Sequence, residues 1–233
     1  MPETLSISMQ LTLDDLYNVG ILISHIIDFR SSFTATHTQG VAIVANKLAT
    51  YFNFSKNKRK QIEIAGLFHD LGKLVVPTNI LNKSGNLDNK EWTIMKTHTY
   101  YTYHSLENTA ALKKIKKWAA YHHEKLNGKG YPFGLKKENL SLEAKIIAAA
   151  DVFTALREDR PYRKGMESDK IKNILKDMVQ NNALEGKVVS KISDNFKEFN
   201  SQLKQTQKKA KDGYKKFRNK IDNIKMNMEL LTN

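Results

Sequence analysis

Apolar residues recur at three- and four-residue spacing through almost the whole chain, the period of helices with one buried face. Leu13, Leu16, Val19, Ile23, Ile26 and Ile27 predict a first amphipathic helix. A second begins near His37 and carries Val41, Val44, Leu48 and Phe52. Ser55 suits the N-cap of a third, where Ile62, Ala65, Leu67 and Phe68 lead into His69-Asp70 and Gly72 ends the helix. The stretch from Val76 to Asn86 reads as a loop. Asp88 with Glu91 makes a capping box for a helix carrying His98. Leu112, Ile115, Trp118 and Ala119 mark the next helix, which runs into His122-His123. Three glycines and a proline between Asn127 and Gly134 form a loop, and Ser141 opens an alanine-rich helix bearing Asp151. No strand-like alternation competes, so the expected fold class is all-α, a helical bundle.

The tail keeps heptad spacing. Val189, Ile192, Phe196, Phe199, Leu203, Thr206 and Ala210 form one run; after a slip near Gly213, Phe217, Ile221, Ile224, Met228 and Leu231 resume it. One reading is a long helix that serves as a coiled-coil strand of a homodimer or as a lead into another domain. The other is a pair of shorter helices folded back on the core. The expected division is a domain over 1–183, with residues 1–30 as a leading helix, and a basic tail over 184–233.

Composition narrows the classes. With 233 residues and 40% apolar content, the chain can bury one sizeable core. It has no cysteine, which excludes disulfides and thiolate metal sites and suits a reducing compartment. Its first apolar stretch is interrupted by Asp14, Asp15 and Asp28, and no uncharged run is long enough to span a bilayer, so a cytoplasmic protein without a transmembrane segment is expected. The net charge is +14, and residues 184–233 hold twelve Lys or Arg against six Asp or Glu. No nucleic-acid module accompanies that charge, so it reads as solvated helix faces and nucleic acid is not an expected partner.

Against this helical background stand His37, His69-Asp70, His98, His122-His123 and Asp151. Seven nitrogen and carboxylate donors exceed what a single structural ion requires and can hold more than one transition-metal ion. His37 or His98 alone would read as a core histidine. The adjacent pairs are stronger signals, because a carboxylate beside an imidazole can bridge two ions. Asp151, among Ala148, Ala149, Ala150 and Ala155, is a carboxylate in apolar company that needs a cation partner.

Four blocks carry a family resemblance: His69-Asp70-Leu71-Gly72-Lys73; Pro77, Ile80-Leu81, Lys83, Gly85, Leu87 and Glu91; His122-His123-Glu124 with Gly128 and Gly130-Tyr131-Pro132; and Asp151-Val152-Phe153, Ala155-Leu156 and Arg160-Pro161-Tyr162-Arg163. From about Leu13 to about Ile192 the chain resembles the HD-GYP branch of the HD superfamily of metal-dependent phosphohydrolases. The resemblance implies that His37, His69, Asp70, His98, His122, His123 and Asp151 ligate a centre of iron or manganese. Members with three metals have a glutamate one turn before the first ligand histidine; Phe33 stands there, so two ions are expected. Thr102 replaces a usual glycine, and Leu126-Asn127 a frequent Trp-Asp.

The resemblance further implies hydrolysis of cyclic di-GMP to pGpG, and in some members on to GMP, by a hydroxide bridging the metals; some members prefer a cyclic GMP-AMP dinucleotide. A water shared by two divalent ions is acidified toward neutral pH and becomes a nucleophile at phosphorus. Asp70 and Lys73 would be catalytic, with Lys73, Arg160 and Arg163 on phosphate and Tyr131 on a base or a partner. Glu124 would orient a ligand histidine from behind. A diguanylate cyclase of the GGDEF type is a partner the glycine loop could meet. Two competing readings are a catalytically silent cyclic-dinucleotide receptor and an HD phosphohydrolase acting on other nucleotides. His25 and His104 match no motif position.

Overall fold

The computed structural model describes residues 11–30, 36–107, 112–159 and 164–232, with 227–232 as backbone only. The chain forms ten α-helices over these residues: α1 (Leu13–Arg30), α2 (His37–Tyr51), α3 (Lys56–Phe68), α4 (Thr78–Leu81), α5 (Asn89–Ser105), α6 (Ile115–Ala120), α7 (Leu142–Arg157), α8 (Ser168–Gln180), α9 (Gly186–Asp194) and α10 (Phe196–Thr232). Among the described residues the extended pairing is one isolated bridge, Asn127 with Lys136. The all-α expectation holds.

Local chemistry sets the boundaries. Ser55 Oγ accepts from the Lys58 amide at 3.3 Å and Ser141 Oγ from the Ala144 amide at 3.3 Å, capping α3 and α7. Asp88 and Glu91 complete the expected capping box at α5, with Asp88 Oδ1 accepting from the Glu91 amide and Glu91 Oε2 from the Asp88 amide. The stretch expected as a loop after Val76 contains the short helix α4.

α2, α3 and α7 form the centre. Val41, Val44, Leu48, Ile62, Ala65, Phe68, Ile146, Ile147 and Phe153 are buried in one cluster, and α6 closes it with Ile115 and Trp118. At ~25 cal/mol per Å² of apolar surface, such side chains dominate stability. α1 lies across α3, where Gly20 meets Leu67; its Leu16 and Ile27 are buried, while Val19 and Ile26, expected inward, are 42% and 37% exposed. The helix has apolar residues on both faces, and the buried line runs through Leu16, Gly20, Ser24 and Ile27.

The tail agrees in part with the reading of two helices folded back on the core: it consists of α9 and α10, and their first part packs against the chain's own core. α10 is one helix of 37 residues, about 55 Å at ~1.5 Å per residue. The tail's heptad seam, begun on α9 by Val189 and Ile192 and continued on α10 by Phe196, Phe199 and Leu203, faces the chain's own core and is buried with residues of α2 and α7. That half of the seam is therefore unavailable to a coiled-coil dimer. The anticipated boundary at 183/184 falls inside a continuous core, since Leu184 and Val188 are buried with Ile171 and Leu175. Farther along, Phe217 packs its ring 5.3 Å from His25 of α1. No described helix is long and apolar enough to cross a membrane.

Candidate active site

The ends of α3 and α6, the start of α2 and the middles of α5 and α7 converge on one point. His37 is the first residue of α2. His69 and Asp70 follow α3, where the chain tightens into a 3-10 turn over Leu71–Val75. Gly72 belongs to that turn and does not end α3. Its lack of a side chain lets α5 come close, since a Cβ there would lie 1.9 Å from the His98 carbonyl oxygen. Thr102, in place of the family's glycine, is buried and ties the turn to α5. Its hydroxyl accepts from the Gly72 amide at 2.9 Å and donates to the His69 carbonyl at 3.1 Å.

All seven expected donors meet. His37, His69 and Asp70 offer ligand atoms within 4.8 Å of one another, and so do His98, His122 and His123. Asp70 connects the two groups. Its Oδ2 is 3.2 Å from His69 Nε2, and its Oδ1 is 3.5 Å from His98 Nε2 and 4.0 Å from His122 Nε2. Asp151 closes the other side, 3.0 Å from His37 Nε2 and 3.9 Å from His123 Nδ1. All are buried except His123, which is half-buried at the cleft.

The tautomers follow from what stands behind each ring. Nδ1 of His69, His98 and His122 lies 2.7 Å from the carbonyl three residues earlier, of Gly66, Met95 and Ala119. A carbonyl only accepts, so Nδ1 carries the proton and Nε2 turns a lone pair inward, the form that ligates metals. Desolvation, with neighbouring charges, pushes His98 down to about 3 and His122 well below its usual value, so both are neutral. Burial raises the Asp70 carboxyl, but its contacts with His69 and with the Lys73 ammonium outweigh it and hold it well below the usual carboxylate range. His37 goes the opposite way: burial opposes its charge, yet the Glu158 and Asp151 carboxylates prevail and raise it to about 10. A place that favours a proton so strongly also favours a cation. Neutral imidazoles and ionised carboxylates are the donor set that a pair of divalent transition metals requires, and the fit is good.

The cluster forms the floor of a cleft of about 610 Å³ walled by Lys73, Leu81, Lys83, Trp92, Tyr131 and Ala155. Lys73 Nζ reaches Asp70 Oδ2 at 2.6 Å, so it lines the cleft as expected while paired with a proposed ligand. Tyr131 lies over His123, ring centroids 4.8 Å apart, and meets Trp92 edge-on at 6.4 Å. Glu124 departs from expectation: its carboxylate oxygens accept from the Phe133 amide at 2.7 Å and the Leu135 amide at 2.9 Å, so it holds the glycine loop and no histidine. The carboxylate behind an imidazole is Glu158, 2.9 Å from His37 Nδ1. Sequence reasoning passed over Glu158 and Trp92. The signal for Glu158 was its place seven residues, two helical turns, after Asp151. Arg160 and Arg163 lie outside the described residues. His25 is half-buried beside Gln39 and Phe217, and His104 is exposed and paired with Glu107, both away from the cleft.

Residues 22–188 match the model of the HD domain. The chain belongs to the HD-domain family. Within it, the motif blocks and the relatives place it in the HD-GYP branch. It is 33% identical over 199 residues to 3'3'-cGAMP-specific phosphodiesterase 1 of Vibrio cholerae, covering 85% of this chain and 46% of that protein. It is 39% identical over 169 residues to 3'3'-cGAMP-specific phosphodiesterase 3 of the same organism, covering 72% and 37%. To the cyclic di-GMP phosphodiesterase response regulator RpfG of Xanthomonas campestris it is 35% identical over 145 residues, covering 61% and 38%. This HD-domain chain thus spans less than half the length of these relatives. In fold it is similar to the solved structure of Bd1817, an HDG"Y"P protein of Bdellovibrio bacteriovorus, with a TM-score of 0.60 at 15% identity over 80% of this chain and 65% of that one.

Proposed function

We propose that this HD-domain chain is a metal-dependent phosphodiesterase that hydrolyses cyclic di-GMP to pGpG. The observation that carries the proposal is Asp70, a member of one three-residue donor group, reaching into the other at the floor of an open cleft. His37, His69 and Asp70 would hold one ion and His98, His122 and His123 the other, with Asp70 shared and Asp151 beside both; iron or manganese suits these donors. Such ions supply an acidified water and neutralise charge on the phosphoryl oxygens.

The chain's own residues do the rest. Lys73, with Arg160 and Arg163 assigned from their motif, holds the phosphates. Tyr131 and Trp92 present ring faces and edges to a base in the cleft. Hydrolysis places a hydroxyl on phosphorus, breaks the bond to the ribose O3′ and returns a proton to that oxygen. The first product is a linear dinucleotide with a 5′-phosphate.

A second reading, 3'3'-cGAMP as the preferred substrate, is favoured by the relatives named for that dinucleotide, which cover 85% and 72% of this chain. The test is anaerobic incubation of Mn(II)- or Fe(II)-loaded protein with each dinucleotide, products being separated by chromatography and weighed. Linear products from cyclic di-GMP support the proposal, and faster release from 3'3'-cGAMP supports the second reading. Tight binding of both without turnover would make the chain a receptor.

A further inference from the structure

We infer that Glu158 and Gln207 are positioning residues of the metal centre, so that α10 is a working part of it. The inference rests on the reading of His37 as a ligand. His69, His98 and His122 each anchor Nδ1 on a carbonyl three residues back. His37 is the first residue of its helix, so α2 has no residue three places earlier to serve it. Glu158, 5% exposed, takes that role from the end of α7 at 2.9 Å. A carboxylate behind a ligating imidazole fixes its tautomer and aim and makes it a stronger donor.

Both oxygens of Glu158 are occupied. Oε2 faces His37, while Oε1 accepts from Thr36 Oγ1 at 3.0 Å and from Gln207 Nε2 at 3.2 Å. Glu158 therefore stands behind the ligand and does not take its place. Gln207 belongs to α10, and its helix face is seated firmly. Asn200, two turns earlier, accepts from Arg157 Nε in a short hydrogen bond. Leu203, between them, fills the space over Gly40, where a Cβ would lie 2.8 Å from Leu203 Cδ1 and 2.9 Å from Thr154 Cγ2. Gly40 is three residues after His37. A slide of α10 by one residue, about 1.5 Å, would carry Gln207 out of hydrogen-bond reach. The seating of this helix thus sets how firmly His37 is aimed.

The test is a Co(II) titration of the full chain, followed by calorimetry and by the visible absorption of the bound ion, with unfolding midpoints measured in chelator. Glu158→Gln should weaken binding roughly 10- to 100-fold and alter the Co(II) spectrum. Gln207→Ala, which removes one hydrogen bond at a half-buried position, should weaken it about 5-fold. The exposed neighbour Lys204→Ala should leave affinity unchanged. Wild-type affinity in Glu158→Gln would overturn the role of Glu158. If Gln207→Ala lowers only the unfolding midpoint, α10 is packing and not part of the centre. A wild-type chain that binds no Co(II) would overturn the ligand reading itself, which is a separate failure.

Discussion

Gly72 and His98 touch through their backbones: a Cβ on Gly72 would fall 1.9 Å from the His98 carbonyl oxygen. One hydrogen in place of a methyl group thus sets how closely α5 approaches the turn that carries His69 and Asp70. The two ligand groups are brought together at this contact.

Gly72→Ala should therefore separate the two halves of the centre. The overlap is with backbone, which cannot rotate away, so the cost is expected to be about 3 kcal/mol or more. Urea unfolding would measure it, and metal content should fall in the same variant. A stable Gly72→Ala protein with full metal content would show that α5 is free to shift.

Asp70 belongs to one donor group and reaches His98 and His122 of the other, while Asp151 spans His37 and His123 on the opposite side. Asp70→Ala should lower metal content and reduce turnover by more than ~100-fold, beyond what outer partners of ligands usually contribute. Elemental analysis and product assays on one preparation check both. Near wild-type turnover would remove its bridging role.

Much of this arrangement was legible in the chain, and the failures have physical causes. Helical period and caps are local, so Ser55, Asp88 with Glu91, and Ser141 were readable. The donor cluster was legible through the adjacent pairs His69-Asp70 and His122-His123 and through Asp151, whereas His37 and His98 joined it only through the family resemblance. Glu158 was not, because its partner His37 lies 121 residues away and a carboxylate at a helix end reads as solvated. Glu124 stands beside a histidine in sequence, yet its nearest unpaired donors are loop amides. The heptads of the tail were seen, but a seam against a second copy and a seam against the chain's own core have the same period.

Trp92 is 47% exposed at the cleft mouth, edge-on to Tyr131. A large aromatic so placed contributes little to folding and suits base stacking, worth ~1–3 kcal/mol per base. Trp92→Ala should raise KM roughly 5- to 100-fold, with kcat and the unfolding midpoint nearly unchanged. Unaltered KM would take Trp92 out of the substrate site.

Metal-free protein should lose stability as pH falls below neutrality. Desolvation holds His98 down to about 3 in the folded chain, against an ordinary value near 6.5. Between those values the unfolded chain binds a proton that the folded chain refuses. The His98 contribution is therefore full above about 6.5 and declines as pH falls toward 3, whereas that of His37, raised to about 10 by Glu158 and Asp151, is full below about 6.5 and is lost only as pH rises toward 10. His122 is lowered for the same reason and adds to the slope. Chelator-treated protein melted across this range should show it, and a flat profile would mean that the imidazoles are solvated.

Truncation of the tail should have two different outcomes. Ending the chain at Asn195 removes Phe196, Phe199 and Leu203, all buried in the common core. Each contributes ~1.5–3 kcal/mol, and together they match much of the stability of an ordinary domain. That variant should be unfolded or insoluble and hold no metal. Ending the chain at Gly213 keeps these residues and Gln207, and it loses mainly the contacts of Tyr214 and Phe217 with α1. It should fold, bind metal and turn over substrate much as the full chain does. Circular dichroism and metal analysis separate the cases. A folded, metal-loaded chain ending at Asn195 would restore the view of the tail as an appendage.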